Sequence, residues 1–147
     1  LNYIQRKLMD INYHIYGSTK YFEKYGMPKT LSDLNKHKFI SFGRGAPSPV
    51  FNPDWALKLG MKDNKKRKSV MKVNSVMGLL LAVESGVGLA ALPDYIVSLS
   101  NNVIKVLPKV EGPITEAHFV FPESLKNVAR VTIFRNFLYS KISEFKS

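Results

Sequence analysis

Few residues in this chain have the types and spacing that chemistry needs. Gly86-Val87-Gly88-Leu89-Ala90-Ala91 matches the spacing of the dinucleotide fingerprint G-x-G-x-x-G/A. That fingerprint must follow a strand and open a helix, so that the helix N-terminus faces a pyrophosphate. Here a helical pattern precedes it and a strand pattern follows, so the polarity is reversed. The segment reads instead as a helix C-cap and a tight turn. His14, His37 and His118 lie far apart in sequence, with no Asp or Glu at ligand spacing. Phosphate loops of the G-x-x-x-x-G-K-[ST] type and H-E-x-x-H pairs are both missing. With no cysteine, disulfide frameworks, Cys-ligated zinc, iron–sulfur clusters and thiol catalysis drop out together. The expectation is a protein without cofactor or metal, and not an enzyme.

What remains is suited to binding. Lys65-Lys66-Arg67-Lys68 is the densest charge and reads as an exposed loop. As a phosphate-contacting patch it lacks an aromatic residue to stack on bases. Ser18, Arg44 and Asn74–Ser75 each follow a predicted strand. Ser18 and Asn74–Ser75 also begin helices, whose free N–H groups and positive dipole ends favour anions. Arg44, between Gly43 and Gly45, has a guanidinium able to clamp a carboxylate bidentately. Simple N-capping by Ser18 and Asn74 is compatible with such a role.

These positions need elements to hold them. Asp10–Gly17 alternates Ile11, Tyr13 and Ile15 with Asn12, His14 and Tyr16, which predicts a strand. Ser18 caps a short helix that Gly26 ends and Pro28 cannot extend. Thr30–Asp33 resembles a capping box ahead of a one-turn helix. Phe39–Phe42 predicts a strand, 43–53 a loop rich in Gly and Pro, and Trp55–Leu59 a brief helix stopped by Gly60. Ser69–Val73 is a strand. Val76, Leu79, Leu80 and Val83 then share one helix face, which closes at Gly86. Leu89–Pro93 reads as a fully buried strand, Asp94 as the cap of another short helix, and Val103–Leu107 and His118–Phe121 as strands. The last helix, over 128–145, carries Val131, Phe134, Leu138, Ile142 and Phe145 on one face. Alternating strands and helices predict an α/β fold with a mainly parallel sheet, whose ligands collect at strand carboxyl ends.

Composition is consistent with this. Across 147 residues, 45% hydrophobic and 22% charged, a chain can bury a sizeable core without staples. Its longest apolar run, Val76–Val83, is far below the ~18 residues of a membrane span, so no membrane partner is expected. With no secretory signal and no Asn-x-Ser/Thr acceptor visible, the expected location is cytoplasmic. The net charge of +11 suggests an acidic partner, yet 17 of the 22 basic residues are Lys, which also suits a solvated surface.

The order of elements is familiar. Tyr21–Pro28 (YFEKYGMP), then Leu31–His37 (LSDLNKH), resembles the Y-L-x-x-x-G-x-P and L-x-D-L-x-x-H stretches of LysR-type transcriptional regulators. Val73–Pro93 (VNSVMGLLLAVESGVGLAALP) resembles their helix–turn–strand segment. Val103–Pro108 and Phe119–Phe137 look like the chain's return and terminal helix. The resemblance implies an effector-binding domain with the fold of type II periplasmic binding proteins: two α/β lobes with a small molecule in the cleft. It further implies a homo-oligomer whose rearrangement alters DNA contacts and polymerase recruitment. Carried over residue by residue, Ser18, Gly43, Arg44, Asn74 and Ser75 would line the second lobe's side of the cleft, and an anionic effector is expected there.

Two parts of the family pattern are missing from these residues: the winged helix-turn-helix and the first half of the first lobe. The resemblance thus divides the chain into 1–6 from the first lobe, 7–106 as a second lobe, and 107–147 returning into an incomplete first lobe. A chain that opens on Leu1 is expected to be the regulatory end of something longer, touching DNA only through a domain outside it. The tail is expected to pair with another copy or fold back on the second lobe. Two other readings are a solute-binding protein of related fold and a free-standing basic nucleic-acid-binding protein.

Overall fold

The computed structural model describes residues 2–43 and 52–144. Arg44 and Phe145 therefore lie outside the described residues. Contacts divide the chain into two compact units, Leu1–Ile11 with Ile114–Ser147, and Asn12–Pro113. The junctions fall at 11/12 and 113/114, where the family resemblance had suggested 6/7 and 106/107.

The larger unit grows from strands whose central members are buried on both faces. Strand β1 is Tyr3–Ser18, and its second half belongs here; β2 is Phe39–Phe42, β3 Ser69–Val73, β4 Ala90–Pro93 and β5 Val103–Val106. Strand β2 pairs with β3 in parallel. It also meets the chain just before β4 through a parallel bridge from Phe39 to Leu89. Strand β1 runs antiparallel to both β4 and β5. Across the unit the strands thus read β3-β2-β4-β1-β5. The expected mainly parallel sheet is corrected to a mixed one, because β1 reverses the sense at the centre.

Successive residues split between two cores, as a period of two requires. Ile15, Phe39 and Leu89 enter one with Tyr21, Leu34, Leu57 and Val106. Tyr16, Ile40 and Ala90 enter the other with Leu79, Leu80, Val83 and Ile96. Helices α1 (Thr19–Tyr25) and α2 (Trp55–Lys58) cover the first face. The opposite face carries α3 (Val76–Glu84) and α4 (Asp94–Val97). Each fully buried large side chain contributes about 1.5–3 kcal/mol, so these layers dominate stability.

Local chemistry sets the element ends. The Thr30 hydroxyl accepts from the Asp33 N–H at 3.3 Å, and Asp33 accepts from the Thr30 N–H at 2.9 Å. That reciprocal pair has the bonding of a capping box with Asp in the Glu position. It closes the turn ahead of the 3-10 helix Asp33–Lys36, however, whose cap position is Ser32 without a side-chain cap bond. Gly86, at φ +77°, follows Ser85 at the end of α3, so the glycine there serves the C-cap turn. Asp94, expected to cap α4, does not: Pro93 holds the cap position and no side-chain cap bond forms. Its carboxylate turns to β1 and β5 instead.

The loop over 62–68 also departs from expectation. Lys65 and Lys68 are exposed, but Arg67 is buried. Its guanidinium donates to the carbonyls of Leu59 (2.7 Å), Ala56 and Leu57 (both 3.4 Å), and its Nε donates to Asn35 Oδ1 (2.9 Å). A segment with Asp63 and Asn64 at positive φ has little regular structure, and Arg67 supplies the donors that its neighbours' carbonyls need.

In the smaller unit, the first half of β1 pairs with β6 (Ile114–Pro122). Helix α5 (Ala129–Glu144) joins them through the Phe119 and Phe134 rings, 5.9 Å apart, and through Tyr139, whose hydroxyl donates to the Lys7 carbonyl at 2.7 Å. No α5 residue is buried, and Ile133, Phe134 and Phe137 remain more than half exposed. No helix among the described residues is long and apolar enough to cross a membrane.

Candidate functional site

Strands β3, β2 and β4 run in one sense and end together. At that end the Gly43 N–H donates to the Val73 carbonyl at 2.8 Å, tying the exit of β2 to the exit of β3. Asn74 follows, and Ser75 caps α3, its hydroxyl accepting from the Gly78 N–H at 3.3 Å. Glycine is needed at 78: a Cβ there would lie 2.6 Å from Val73 Cγ1. The first turn of α3 thus sits hard against β3, and its N-terminus starts just after Asn74, which lies beside Gly43.

Of the residues singled out from sequence, Gly43, Asn74 and Ser75 are brought together. Ser18 is not. Because β1 is antiparallel to β4, Tyr13 pairs with Pro93 at the carboxyl end of β4, while Ser18 pairs with Val103 at the other end. Ser18 is fully buried, and its hydroxyl is engaged by the Tyr21 N–H at 3.3 Å. Capping consumes it. Arg44 lies outside the described residues.

A pocket opens at the same end, enclosing about 520 Å³ with its mouth included. Tyr13, Phe42, Trp55, Val76, Ala91 and Pro93 are among its walls. Ser41 supplies a hydroxyl that donates to Ser69 Oγ at 2.9 Å. No charged side chain is among the described lining. Sequence reasoning missed Tyr13, Phe42 and Trp55. Val76 could have been found, since the first residue after an N-cap at a strand's carboxyl end faces any ligand there.

A polar cluster ties β1 to its neighbours. Asp94 Oδ1 accepts from the Tyr16 hydroxyl at 2.8 Å and lies 2.8 Å from His14 Nδ1, while Oδ2 is 3.3 Å from Lys105 Nζ. Burial, then the Asp94 bond and charge, push the Tyr16 phenol well above its usual range. On the other face the Tyr21 hydroxyl lies 3.1 Å from His37 Nδ1 and accepts from the Lys38 N–H at 2.9 Å. Burial pushes His37 down, against an upward pull from Asp33. The histidines that look isolated in sequence are thus partnered: His14 by Asp94, His37 by Tyr21, and His118 by Glu116, whose Oε2 lies 3.4 Å from its Nε2.

The family model of the LysR substrate binding domain matches residues 2–142. The chain belongs to the LysR substrate-binding domain family. An uncharacterised HTH-type transcriptional regulator of Haemophilus influenzae is 27% identical over 133 residues, covering 88% of this chain and 45% of that protein. The LysR regulatory domain of CrgA from Neisseria meningitidis superposes with a TM-score of 0.77 at 21% identity, over 95% of this chain and 68% of that one. Full-length AphB, the Vibrio cholerae virulence activator, gives 0.66 at 14% identity, over 94% of this chain and 47% of its own. The chain spans about half the length of the curated relative. These structures share the fold, the α/β, type II periplasmic-binding-protein-like architecture of LysR regulatory domains.

Proposed function

We propose that this LysR-family chain is the effector-sensing part of a transcriptional regulator and has a binding role, not a catalytic one. Its ligand is a small anion held where β2 and β3 end, by Gly43, Asn74 and the N-terminus of α3 at Ser75, with Arg44 as a further contact. The observation that carries the reading is this convergence at one sheet end, in a chain that the family model covers over 2–142. Helix N-terminal N–H groups offer donors and positive potential to an anion without adding a buried charge. In the whole protein, binding shifts a homo-oligomer and so the grip on DNA of a separate domain, in the cytoplasm.

The family match favours this over a solute-binding protein. Burial of Arg67 weakens the free-standing nucleic-acid reading, since one of the four clustered cations is turned inward.

The test is a thermal-shift panel of small carboxylates and phosphates on this chain. At least one anion is expected to raise Tm with increasing concentration, and Asn74→Ala to reduce that rise. If no member moves Tm, the anion site is wrong.

A further inference from the structure

The pocket at the sheet end contains a second kind of information. Its interior is narrow, about 30 Å³ inside the mouth, which is room for little more than water. A cavity that holds a benzene ring needs about 150 Å³. A ring-sized guest must therefore displace a wall. Tyr13, Phe39 and Leu57 are at most 5% exposed and locked into the core. Trp55 is only partly buried and stands on the four-residue helix α2, at the core's edge.

Behind Trp55 lies backbone. A Cβ on Gly112 would be 2.5 Å from Trp55 Cζ2 and 2.6 Å from the Tyr13 carbonyl oxygen. The Gly112 N–H donates to that same carbonyl at 2.9 Å. Asn12, beside Tyr13, is where the chain enters this unit, and Pro113, beside Gly112, is where it leaves. The pocket wall thus reaches Gly112 and Tyr13, each one residue inside the bounds of this unit.

We propose that the pocket takes an uncharged, ring-sized apolar group, and that Trp55 is the wall such a group displaces, passing the movement to Gly112. The described lining supports the class of guest: aromatic and aliphatic walls, hydroxyls at Ser41 and Tyr13, and among the described residues no charge to repay desolvation of an ion. The inference rests on the reading of this chain as a small-molecule sensor. It assigns the sensor's guest an apolar body and gives the signal a route out.

Trp55 is the single tryptophan, so its emission reports on this wall alone. The chain is titrated with benzyl alcohol and, separately, with sodium acetate. Benzyl alcohol is expected to shift the emission saturably and acetate to leave it unmoved. Ala91→Leu fills the pocket and is expected to weaken the response about tenfold or more. If that variant does not melt cooperatively, Val76→Phe provides the same block. Gly112→Ala is expected to move the emission with no probe present, because its Cβ cannot coexist with the ring. An emission blind to benzyl alcohol, or an Ala91→Leu chain that titrates like wild type, overturns the proposal. A Trp55 response without any Tm rise in the anion panel would leave the pocket standing and remove the anion site. The reverse pair of results would do the opposite.

Discussion

The Tyr16 hydroxyl donates to Asp94 Oδ1 at 2.8 Å, joining positions 78 apart in sequence. Around this bond, β1, β5 and the start of α4 are held by one carboxylate that also meets His14 and Lys105. Tyr16→Phe removes a bond to a charged acceptor, and the expected loss is about 1–2 kcal/mol in urea unfolding. The raised pKa gives a second signature. The folded state holds the phenol proton more tightly than the unfolded chain does. The associated stability is therefore complete below about pH 10, and it is lost as pH rises from there through the folded value. Burial raises Tyr21 in the same direction. Thermal melts at increasing alkaline pH should fall less steeply for Tyr16→Phe than for wild type, without becoming flat. Identical slopes would show that Tyr16 does not carry this linkage.

Arg67 is the one cation of the Lys65–Lys68 run whose replacement should markedly destabilise the protein. Its guanidinium satisfies several main-chain carbonyls at once and lies 5.6 Å over the Phe39 ring. A lysine cannot reproduce that planar fork. Arg67→Lys is expected to cost about 2 kcal/mol or more, since buried carbonyls lose their donors. Lys65→Ala and Lys68→Ala should stay within about 0.5 kcal/mol of wild type, being exposed. Chemical denaturation of the three variants checks this ordering. Equal midpoints would mean that the run is a uniform solvated loop after all. With the expected ordering, a nucleic-acid test that neutralises all four residues together would report destabilisation as loss of binding, so the lysines must be changed without Arg67.

Local signals were legible from the residues, and long-range ones were not. The Ser75 cap, the apolar stripe of α3 and the Gly86 turn are written within a dozen positions, and α3 forms where periodicity places it. The alternation that buries Ile15 against one core and Tyr16 against the other is equally local. The direction of β1 is not. It depends on pairing Tyr13–Tyr16 with Ala90–Pro93, far along the chain, and nothing in Asp10–Gly17 encodes that sense. Hence Ser18 shares the motif "strand, then N-cap" with Ser75 yet lies at the other end of the sheet. Asp94 has the residue type of a cap but finds stronger partners in His14, Tyr16 and Lys105. The pocket escaped notice for the same reason: Tyr13, Phe42 and Trp55 meet only in three dimensions.

Gly88 turns the dinucleotide-like spacing into a packing requirement that can be tested. Gly86 supplies the positive φ that closes α3. Gly88 has another task. A Cβ there would stand 2.6 Å from the Lys38 carbonyl oxygen and 3.0 Å from its carbon, both rigid main-chain atoms. That carbonyl accepts from the Leu89 N–H at 2.8 Å, and the Leu89 carbonyl accepts from the Ile40 N–H at 2.8 Å. These two bonds connect the parallel pair β2–β3 to the strands around β1. Gly88→Ala must push Lys38 away and strain both bonds, at an expected cost on the order of 1–3 kcal/mol. Gly43→Ala is the matched control, since its Cβ would meet nothing closer than 3.5 Å. Amide hydrogen exchange should show Leu89 and Ile40 losing protection in Gly88→Ala and keeping it in Gly43→Ala. Equal protection in the two variants would mean that the approach of Gly88 to Lys38 relaxes freely. The glycine would then be serving the turn alone.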